Sequence, residues 1–277
     1  MKRLNLRLSQ KNNLKTTDPQ FRTLLKETSA VTGDFSMGDD SFSNRIKTFL
    51  KRWPWLFNFL KKAIGSGHSP GGRYHQKERI KKLFGDSVHN KVILSLGSGA
   101  TRIHPEIINV DIRAFKEVDL VADVTDMPLQ DKTVDGIVCD SLLEHVANAP
   151  KFLREMARIL KPGGTLILSI PFMLPYHSSP NDFFRWTEEG IRHVLKENNF
   201  RVEEVGIIGG PMGALQGMLM HIFAILFSFG SKTLYFLLVQ FFMVLFSPLK
   251  LLDVFLMPFA FSIEAASNIF VIAEKNK

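Results

Sequence analysis

The sequence is poor in cysteine and in aromatic residues that carry a polar group. Its 277 residues include one cysteine, three tyrosines and three tryptophans, against 24 phenylalanines. The lone Cys139 excludes an intramolecular disulfide and a multi-cysteine zinc site, and it favours a reducing compartment. The excess of phenylalanine suits burial in a core or in lipid better than a wet aromatic binding surface. A hydrophobic share of 45% excludes a chain that is disordered throughout.

Acidic residues are scarce in the first part of the chain. Residues 1–82 hold 18 Lys and Arg against six Asp and Glu, a net charge of +12. The whole chain carries +8, so the other 195 residues carry −4. A basic leader therefore precedes a mildly acidic body. Nucleic acid is not expected as a partner, because the basic residues lie outside that body.

Residues 1–40 are predicted to form a disordered basic leader. They are polar, they have no sustained hydrophobic period, and breaks such as Asp18-Pro19 interrupt them. The basic start is not followed by an apolar run and a small-residue cleavage site, so no secretory signal is expected.

Residues 41–85 are predicted to form a basic amphipathic helical segment. Their apolar residues recur at helical spacing between lysines and arginines, and Pro54 is expected to kink the helix. Such a helix can lie in a membrane interface with its cations toward anionic headgroups. The alternative is a helix that covers the sheet of the following domain. The apolar positions are Ile46, Phe49, Leu50, Trp53, Leu56, Phe57 and Leu60.

Strands and helices alternate from Lys91 onward. Residues 149–160 and 187–198 are predicted as helices. The alternation predicts an α/β fold with a doubly wound, mainly parallel, seven-stranded sheet and helices on both faces. The domain is expected to comprise residues 86–209 and 264–277, with an apolar helical insertion at 210–263 before the last strand. The individually predicted strands are 91–96, 107–110, 136–139, 165–170, 200–208 and 267–273.

Five short motifs follow one another along this domain. A strand that ends in Gly97-Ser98-Gly99 brings bare backbone close to a ligand, and Asp111, which ends the next strand, can bind both hydroxyls of a ribose. An acid suits neutral hydroxyls better than a phosphate, so an adenosyl cofactor is favoured over a phosphorylated one. The motifs are VILSLGSG at 92–99, NVD at 109–111, ADVTDMPL at 122–129, DGIVCDSLLEHV at 135–146 and LKPGGTL at 160–166.

In this order the motifs resemble those of the class I (Rossmann-like) S-adenosylmethionine-dependent methyltransferases, of the methyltransferase type 11 kind. The resemblance covers roughly residues 86–209 and the last strand. It implies an enzyme that uses S-adenosyl-L-methionine, with the glycine loop near its methionine part and the acid of the second motif at its ribose. The cofactor-binding residues that it implies are Leu96, Gly97, Ser98, Gly99, Asp111, Ile112, Asp123, Val124, Asp140, Ser141 and Leu142.

The chain departs from the family pattern at two places. Ser95 stands where these enzymes usually have an acid, and only 11 residues separate Gly99 from Asp111. The first helix is therefore expected to shrink to about a turn within Ala100–Glu106, and the methionine end of the pocket is expected to be built differently.

The loop after the fifth predicted strand holds the candidates for the acceptor side, because such loops form the ligand crevice of a doubly wound sheet. His177 is predicted as a base if the acceptor must lose a proton, and the alternative is a hydrogen bond at the pocket edge. Arg185 either pairs with Asp182 or holds an anionic acceptor. His145 is expected to orient its turn, and no metal site is predicted. The candidate pocket residues are Tyr176, Asp182, Arg185 and Trp186.

The predicted insertion, 210–263, is almost free of charge. The 27 residues between Glu204 and Lys232 and the 17 between Lys232 and Lys250 carry none. A helix that is apolar all round lies either in the core of a large protein or in lipid. This chain is small for a protein with such a core. If the flanking strands are neighbours, the insertion must leave and return on one side of a membrane. Helices that lie in one leaflet or dip into it are favoured over a two-span hairpin, and a substrate lid or dimer surface is the alternative.

These features predict a methyltransferase at the cytoplasmic face of a membrane, with the lipid surface as a partner. Its acceptor is expected to be lipid-like, an isoprenoid or a lipid-linked sugar. One alternative is a soluble small-molecule methyltransferase whose insertion is a lid or dimer interface. Another is a non-catalytic membrane scaffold with a methyltransferase fold. The oligomeric state stays open.

Overall fold

The computed structural model describes Ser69, Gly85 and residues 91–177 and 181–277. The predicted leader, 1–40, lies outside the described residues. Of the predicted amphipathic segment, 41–85, only Ser69 and Gly85 are described, so its helical character stays a prediction.

The described strands form one sheet in the order β3-β2-β1-β4-β5-β7-β6. The first five strands run parallel, while β7 pairs antiparallel with both β5 and β6. The predicted mainly parallel, seven-stranded sheet is therefore confirmed. The strands are β1 (Ile93–Leu96), β2 (Ile108–Asp111), β3 (Leu120–Val121), β4 (Val134–Asp140), β5 (Leu160–Pro171), β6 (Phe200–Gly209) and β7 (Asn268–Lys275).

Two helices cover the sheet. The first, α1 (Ala149–Ile159), begins where Asn148 accepts a hydrogen bond from the backbone N–H of Lys151. The second, α2 (Glu188–Glu197), is capped in the same way by Thr187, which accepts from the N–H of Gly190 at 3.0 Å. Both helices agree with the predicted ranges. Their buried apolar residues, such as Phe152, belong to one core with residues of all seven strands, including Phe200 of β6.

The segment between β1 and β2 contains turns only. The expected shortening of the first helix is thus confirmed and goes further, since Ala100–Glu106 forms no helical turn. Arg102 fixes the position of this segment, which has no helix to do so. Its guanidinium donates to the carbonyls of Ile107 at 3.0 Å and Glu117 at 2.7 Å, and to Asp119 at 3.0 Å.

The insertion is a helical hairpin that connects β6 to β7. Gln216 donates to the carbonyl of Met243 at 2.8 Å, and His221 contacts the hydroxyl of Tyr235 at 2.7 Å, so the two long helices run antiparallel. The insertion consists of α3 (Pro211–Ser228), α4 (Lys232–Phe246), a 3-10 segment (Ser247–Leu252), α5 (Asp253–Leu256) and a second 3-10 segment (Ala260–Ala265).

Candidate active site

The glycine loop and Asp111 meet at the carboxyl ends of β1 and β2. The backbone N–H of Gly99 donates to Asp111 Oδ2 at 2.9 Å, and the N–H of Ser98 donates to the carbonyl of Val110 at 3.2 Å. Gly97 and Gly99 have φ angles of +64° and +56°, a region that residues with a Cβ rarely adopt. The sequence-predicted glycine loop and acid therefore form one local unit.

Three observations test whether this unit fits S-adenosyl-L-methionine. A Cβ added at Gly99 would meet nothing within 4 Å, so the space in front of the loop is open. Within the described ranges, the buried hydroxyl of Ser98 has no hydrogen-bond partner. Asp111 accepts from the N–H groups of Gly99 and Arg113, and a carboxylate can accept about four hydrogen bonds. Two positions therefore remain for ribose hydroxyls, and the residues fit the cofactor.

The predicted cofactor residues that follow β2 and β3 present apolar and acidic groups. Ile112 follows Asp111 directly and is exposed. Asp123 is exposed and accepts from the N–H of Thr125 at 2.8 Å, while Val124 packs against the core. These residues follow β2 and β3, whose carboxyl ends lie at the same edge of the sheet.

The third part of the predicted cofactor site follows β4. Ser141 has a φ of +52°, and its N–H donates to the carbonyl of Ser169 at 2.9 Å. Leu142 packs against the glycine loop, because a Cβ added at Gly97 would come within 2.9 Å of its Cδ1. Leu96 is buried at the end of β1 and Asp140 is half-buried at the end of β4. The structure thus brings the ends of β1, β2 and β4 together as predicted.

Two polar positions close to this edge are buried. Ser95, which stands in place of the usual acid, lies inside β1. Burial, with the nearby charges of Glu144 and Asp140, raises the pKa of the Cys139 thiol well above its ordinary value. Cys139 therefore packs as a neutral side chain on β4.

Arg185 and Asp182 organise the loop after β5. The guanidinium donates to both carboxylate oxygens, at 2.5 and 2.6 Å, and to the carbonyls of Leu174 at 2.8 Å and Pro175 at 2.9 Å. Burial opposes the charge of Asp182, but Arg185 and the N–H of His177 outweigh it and lower the pKa of the carboxyl below its ordinary value. Of the two predicted roles for Arg185, the structural pair is the one that the structure shows.

The other two predicted pocket residues, Tyr176 and Trp186, differ in their exposure to solvent. Tyr176 is largely exposed, whereas Trp186 is half-buried and packs against the core. The N–H of Trp186 donates to the carbonyl of Pro171 at 3.1 Å, which fixes the end of the loop to β5. Tyr176 therefore faces solvent, while Trp186 supports the loop from beneath.

His177 faces a carboxylate that the sequence did not single out. Its Nε2 lies 3.8 Å from Oε1 of Glu144, whose side chain is fully buried in the turn after β4. Burial lowers the pKa of His177, but Glu144, the Pro175 carbonyl and Asp182 outweigh this and raise the pKa above its ordinary value. Its role as a base stays a prediction.

Glu144 is the residue that sequence reasoning missed. His145, beside it, contacts the carbonyl of Asn181 through Nδ1, and the N–H of Phe183 donates to the carbonyl of Glu144 at 2.8 Å. The 3-10 turn Leu143–His145 thus anchors the loop after β5, a contact that goes beyond the expected role of His145 in orienting its own turn. The acid directly before a histidine was the available signal, but the sequence did not show that His177 folds back onto it.

Comparison with known proteins finds similarities to methyltransferases in the part of the chain that holds this site. A methyltransferase domain family matches residues 99–168. A probable S-adenosylmethionine-dependent methyltransferase of Mycolicibacterium smegmatis is 29% identical over 94 residues, 31% of this chain and 37% of that protein. A ubiquinone biosynthesis O-methyltransferase of Xanthomonas oryzae pv. oryzae is 39% identical over 62 residues, 22% of this chain and 23% of that protein.

These similarities cover parts of the proteins involved. The chain spans between 16% and 37% of the length of the first curated relatives that it matches. Among solved structures, phosphoethanolamine N-methyltransferase 2 of Haemonchus contortus overlays with a TM-score of 0.46 at 18% identity, over 83% of this chain and 60% of that chain. The family match contains four of the five motifs, from NVD at 109–111 to LKPGGTL at 160–166. Residues 99–168 therefore match a methyltransferase domain, and the relatives that share this part of the chain include probable S-adenosylmethionine-dependent methyltransferases.

Proposed function

We propose that this chain is a membrane-associated enzyme that transfers a methyl group from S-adenosyl-L-methionine to a lipid-like acceptor at the cytoplasmic face of a membrane. An isoprenoid and a lipid-linked sugar are the acceptor classes that we favour. The observation that carries the proposal is the position of the apolar insertion, which leaves the sheet at the edge where the cofactor residues lie.

The strand pairing defines this edge. Asn268, at the start of β7, pairs with Pro171, at the end of β5, and with Gly209, at the end of β6. Both ends of the insertion therefore join the sheet at the carboxyl edge of its parallel strands. The loop after β5 runs beside the return of the insertion, because the N–H of Phe172 donates to Ser267 at 2.9 Å and that of Met173 donates to Ala266 at 3.1 Å.

The surface of the insertion is apolar. Within the described ranges, all but four of the exposed large hydrophobic residues belong to it. Lys250 and Asp253 point inward and are 1% and 0% exposed, so these charges do not interrupt the surface. The exposed residues are Leu215, Met218, Ile222, Ile225, Leu226, Phe227, Phe229, Leu234, Leu237, Phe241, Val244, Leu245, Leu251, Leu252, Val254, Phe255, Phe259 and Phe261.

The large exposed fraction of the two long helices distinguishes them from the core helix of a soluble protein. Among the described residues, two stretches pass a test of length and apolar composition for crossing a membrane, Pro211–Ser228 and Lys232–Leu256, and their apolar windows are only 39% and 17% buried. The second stretch also includes the 3-10 segment and α5. At about 1.5 Å per residue, α3 and α4 alone reach roughly 27 and 22 Å, short of a hydrocarbon core of about 30 Å. Lys232 is exposed at the tip of the hairpin, where deep insertion of a cation is costly. We therefore favour a hairpin that lies in one leaflet.

The orientation follows from charge. The cytoplasmic leaflet carries anionic lipids that attract basic segments. The +12 charge of residues 1–82 would bind such a leaflet, and the hairpin would add a second attachment. Bound S-adenosyl-L-methionine would supply an electrophilic methyl group on a sulfonium. The chain itself would align the acceptor and exclude water through the loop after β5.

Liposome flotation tests the membrane part of the proposal. We expect the full-length protein to float with vesicles that contain anionic lipid. Exchange of Phe255, Phe259 and Phe261 for Ser should reduce flotation several-fold, because these rings form part of the exposed apolar surface. Exchange of the exposed Glu189 for Ser on α2 is the control and should leave flotation unchanged.

Two outcomes would contradict the proposal. A full-length protein that stays dispersed without detergent and does not float would support the soluble alternative, with the insertion as a lid or dimer interface. A protein that floats but does not bind S-adenosyl-L-methionine in calorimetry would support the non-catalytic scaffold.

A further inference from the structure

A group of metal-ligand side chains lies beside the cofactor residues, where the turn after β4 meets the loop after β5. Glu144, His145 and His177 each offer one ligand atom, and these atoms lie within 4.8 Å of one another. The Glu144 side chain is fully buried, and those of His145 and His177 are 13% and 37% exposed. The group is therefore enclosed on the Glu144 side and open on the His177 side.

The backbone determines which nitrogen of each ring carries hydrogen. His145 Nδ1 contacts the carbonyl of Asn181, and His177 Nδ1 lies 3.2 Å from the carbonyl of Pro175. A carbonyl only accepts, so both Nδ1 atoms carry the hydrogen. Arg185 Nη2 lies 3.4 Å from His177 Nδ1, but it already donates to Pro175 at 2.9 Å and to Asp182 at 2.6 Å. In the neutral rings both Nε2 atoms therefore carry lone pairs.

Both Nε2 atoms lie close to a third acceptor atom, a carboxylate oxygen of Glu144. Oε1 of Glu144 lies 3.9 Å from His145 Nε2 and 3.8 Å from His177 Nε2, which is too far for a hydrogen bond. Within the described part of the chain, neither carboxylate oxygen of Glu144 has a hydrogen-bond partner. A buried carboxylate without a partner is strongly unfavourable. A single proton on one ring would satisfy one of these contacts, whereas a cation between the three groups would satisfy all of them.

The spacing and the donor set indicate the kind of cation. Ligand atoms about 2.0–2.2 Å from a tetrahedral metal lie roughly 3.3–3.6 Å apart. The two separations from Glu144, 3.8 and 3.9 Å, therefore need to close by only a few tenths of an ångström, while the third lies within 4.8 Å and needs a larger adjustment of the half-exposed His177. Imidazole suits Zn²⁺, Fe²⁺ or Co²⁺, while Mg²⁺ and Ca²⁺ prefer oxygen. Metal-binding histidines usually donate their other N–H to a carbonyl or carboxylate, as both do here.

We propose that Glu144, His145 and His177 bind one divalent transition-metal ion, with Zn²⁺ as the first candidate. This site needs neither the membrane nor an acceptor, so it does not depend on the proposed function. It gives His177 the role of a ligand instead of the predicted base, because a bound metal would occupy its Nε2. Coordination positions would remain open on the side of the loop after β5.

Metal titration of the full-length protein tests the site without any turnover. Chelator-treated protein is titrated with Zn²⁺ in calorimetry, and with Co²⁺ while its visible absorption bands are recorded. We expect one ion per chain, with affinity lowered by about ten-fold or more in His177→Ala and Glu144→Gln, since each variant removes a ligand. His193→Ala, which removes a largely exposed histidine from α2, should bind like the wild type.

Two results would overturn the proposal. One is a protein that takes up no stoichiometric ion, which would leave an ion pair between Glu144 and a protonated histidine. The other is a bound ion whose affinity is the same in His177→Ala as in the wild type. If Glu144→Gln fails to fold, His177→Ala decides alone, because its side chain lies partly at the surface. Calorimetry with S-adenosyl-L-methionine on the same samples reports the cofactor site separately.

Discussion

The N–H of Gly99 donates a hydrogen bond to Oδ2 of Asp111 at 2.9 Å. This bond joins the glycine loop after β1 to the acid that ends β2. Asp111 therefore shapes the loop, and its remaining lone pairs are the predicted acceptors for the ribose hydroxyls. Substitutions at Asp111 and at Gly99 can therefore test the predicted contacts with the cofactor one at a time.

Replacement of Asp111 by Ala should weaken S-adenosyl-L-methionine binding. The variant loses the bond to Gly99 and both positions for the ribose hydroxyls. A hydrogen bond to a charged group contributes about 1.5–3 kcal/mol, so we expect affinity to fall about 10-fold to 100-fold in calorimetry. Glu189→Gln on α2 is the control and should bind normally. Unchanged affinity in Asp111→Ala would remove Asp111 from the cofactor site.

Alanine substitutions at Gly99 and Gly163 form a matched test and control. They test whether the cofactor occupies the open space in front of the loop. Their φ angles are +56° and +76°, so an alanine costs about 1–2 kcal/mol of stability at either position. A Cβ at Gly99 would project into open space, whereas one at Gly163 would lie 3.6 Å from Glu274, away from the site. Both variants should lose similar stability in thermal unfolding, but only Gly99→Ala should lose cofactor affinity. Equal affinities in the two variants would contradict the assignment of that space to the cofactor.

The sequence predicted the sheet well because its strands are bounded by strong signals. Glycines follow β1, and Asp111 is the last residue of β2. Pro162-Gly163-Gly164 lie within the first part of β5 and directly precede its predicted range, 165–170. The strand that was not predicted individually, β3, has two residues, Leu120 and Val121, which is too short to show a period. Its position became visible only through its pairing with β2.

Arg185 should be required for the order of the loop after β5. In Arg185→Lys the two-pronged contact with the buried Asp182 is lost, because an ammonium cannot reproduce the planar fork. We expect a loss of about 1–2 kcal/mol in stability and faster limited proteolysis within 172–186. Arg192→Lys is the control for the same substitution outside the loop, because Arg192 makes an exposed ion pair with Glu188 at 2.7 Å. If both variants resist protease like the wild type, the pair does not hold the loop.

Asp253 should hold the two ends of the insertion together. It accepts from the N–H groups of Met212 at 2.8 Å and Gly213 at 3.1 Å, at the beginning of α3, and from the hydroxyl of Ser69. Asp253→Ala would leave these donors without their acceptor, so we expect a loss of about 2–3 kcal/mol in thermal unfolding in detergent. Glu264→Gln, at an exposed position of the same insertion, should be neutral. A melting temperature unchanged by Asp253→Ala would show that this contact does not support the fold.

The candidate site was predictable only where its residues follow strand ends. Gly97, Gly99 and Asp111 lie in such positions, and the topology brings them together. Glu144 was hidden because its importance depends on His177, 33 positions later, folding back onto the turn after β4. Burial of Asp253 against the start of α3 likewise depends on the tertiary path of the insertion.

Transfer of a labelled methyl group into membrane lipid tests the central claim most directly. Membrane extracts are incubated with methyl-labelled S-adenosyl-L-methionine and the full-length protein, and mass spectrometry follows the label. We expect a labelled product in the organic-solvent fraction with the wild type, and much less of it with Asp111→Ala when the cofactor is below saturation. Label confined to water-soluble products, or no label with a protein that binds the cofactor, would contradict a membrane methyltransferase with a lipid-like acceptor.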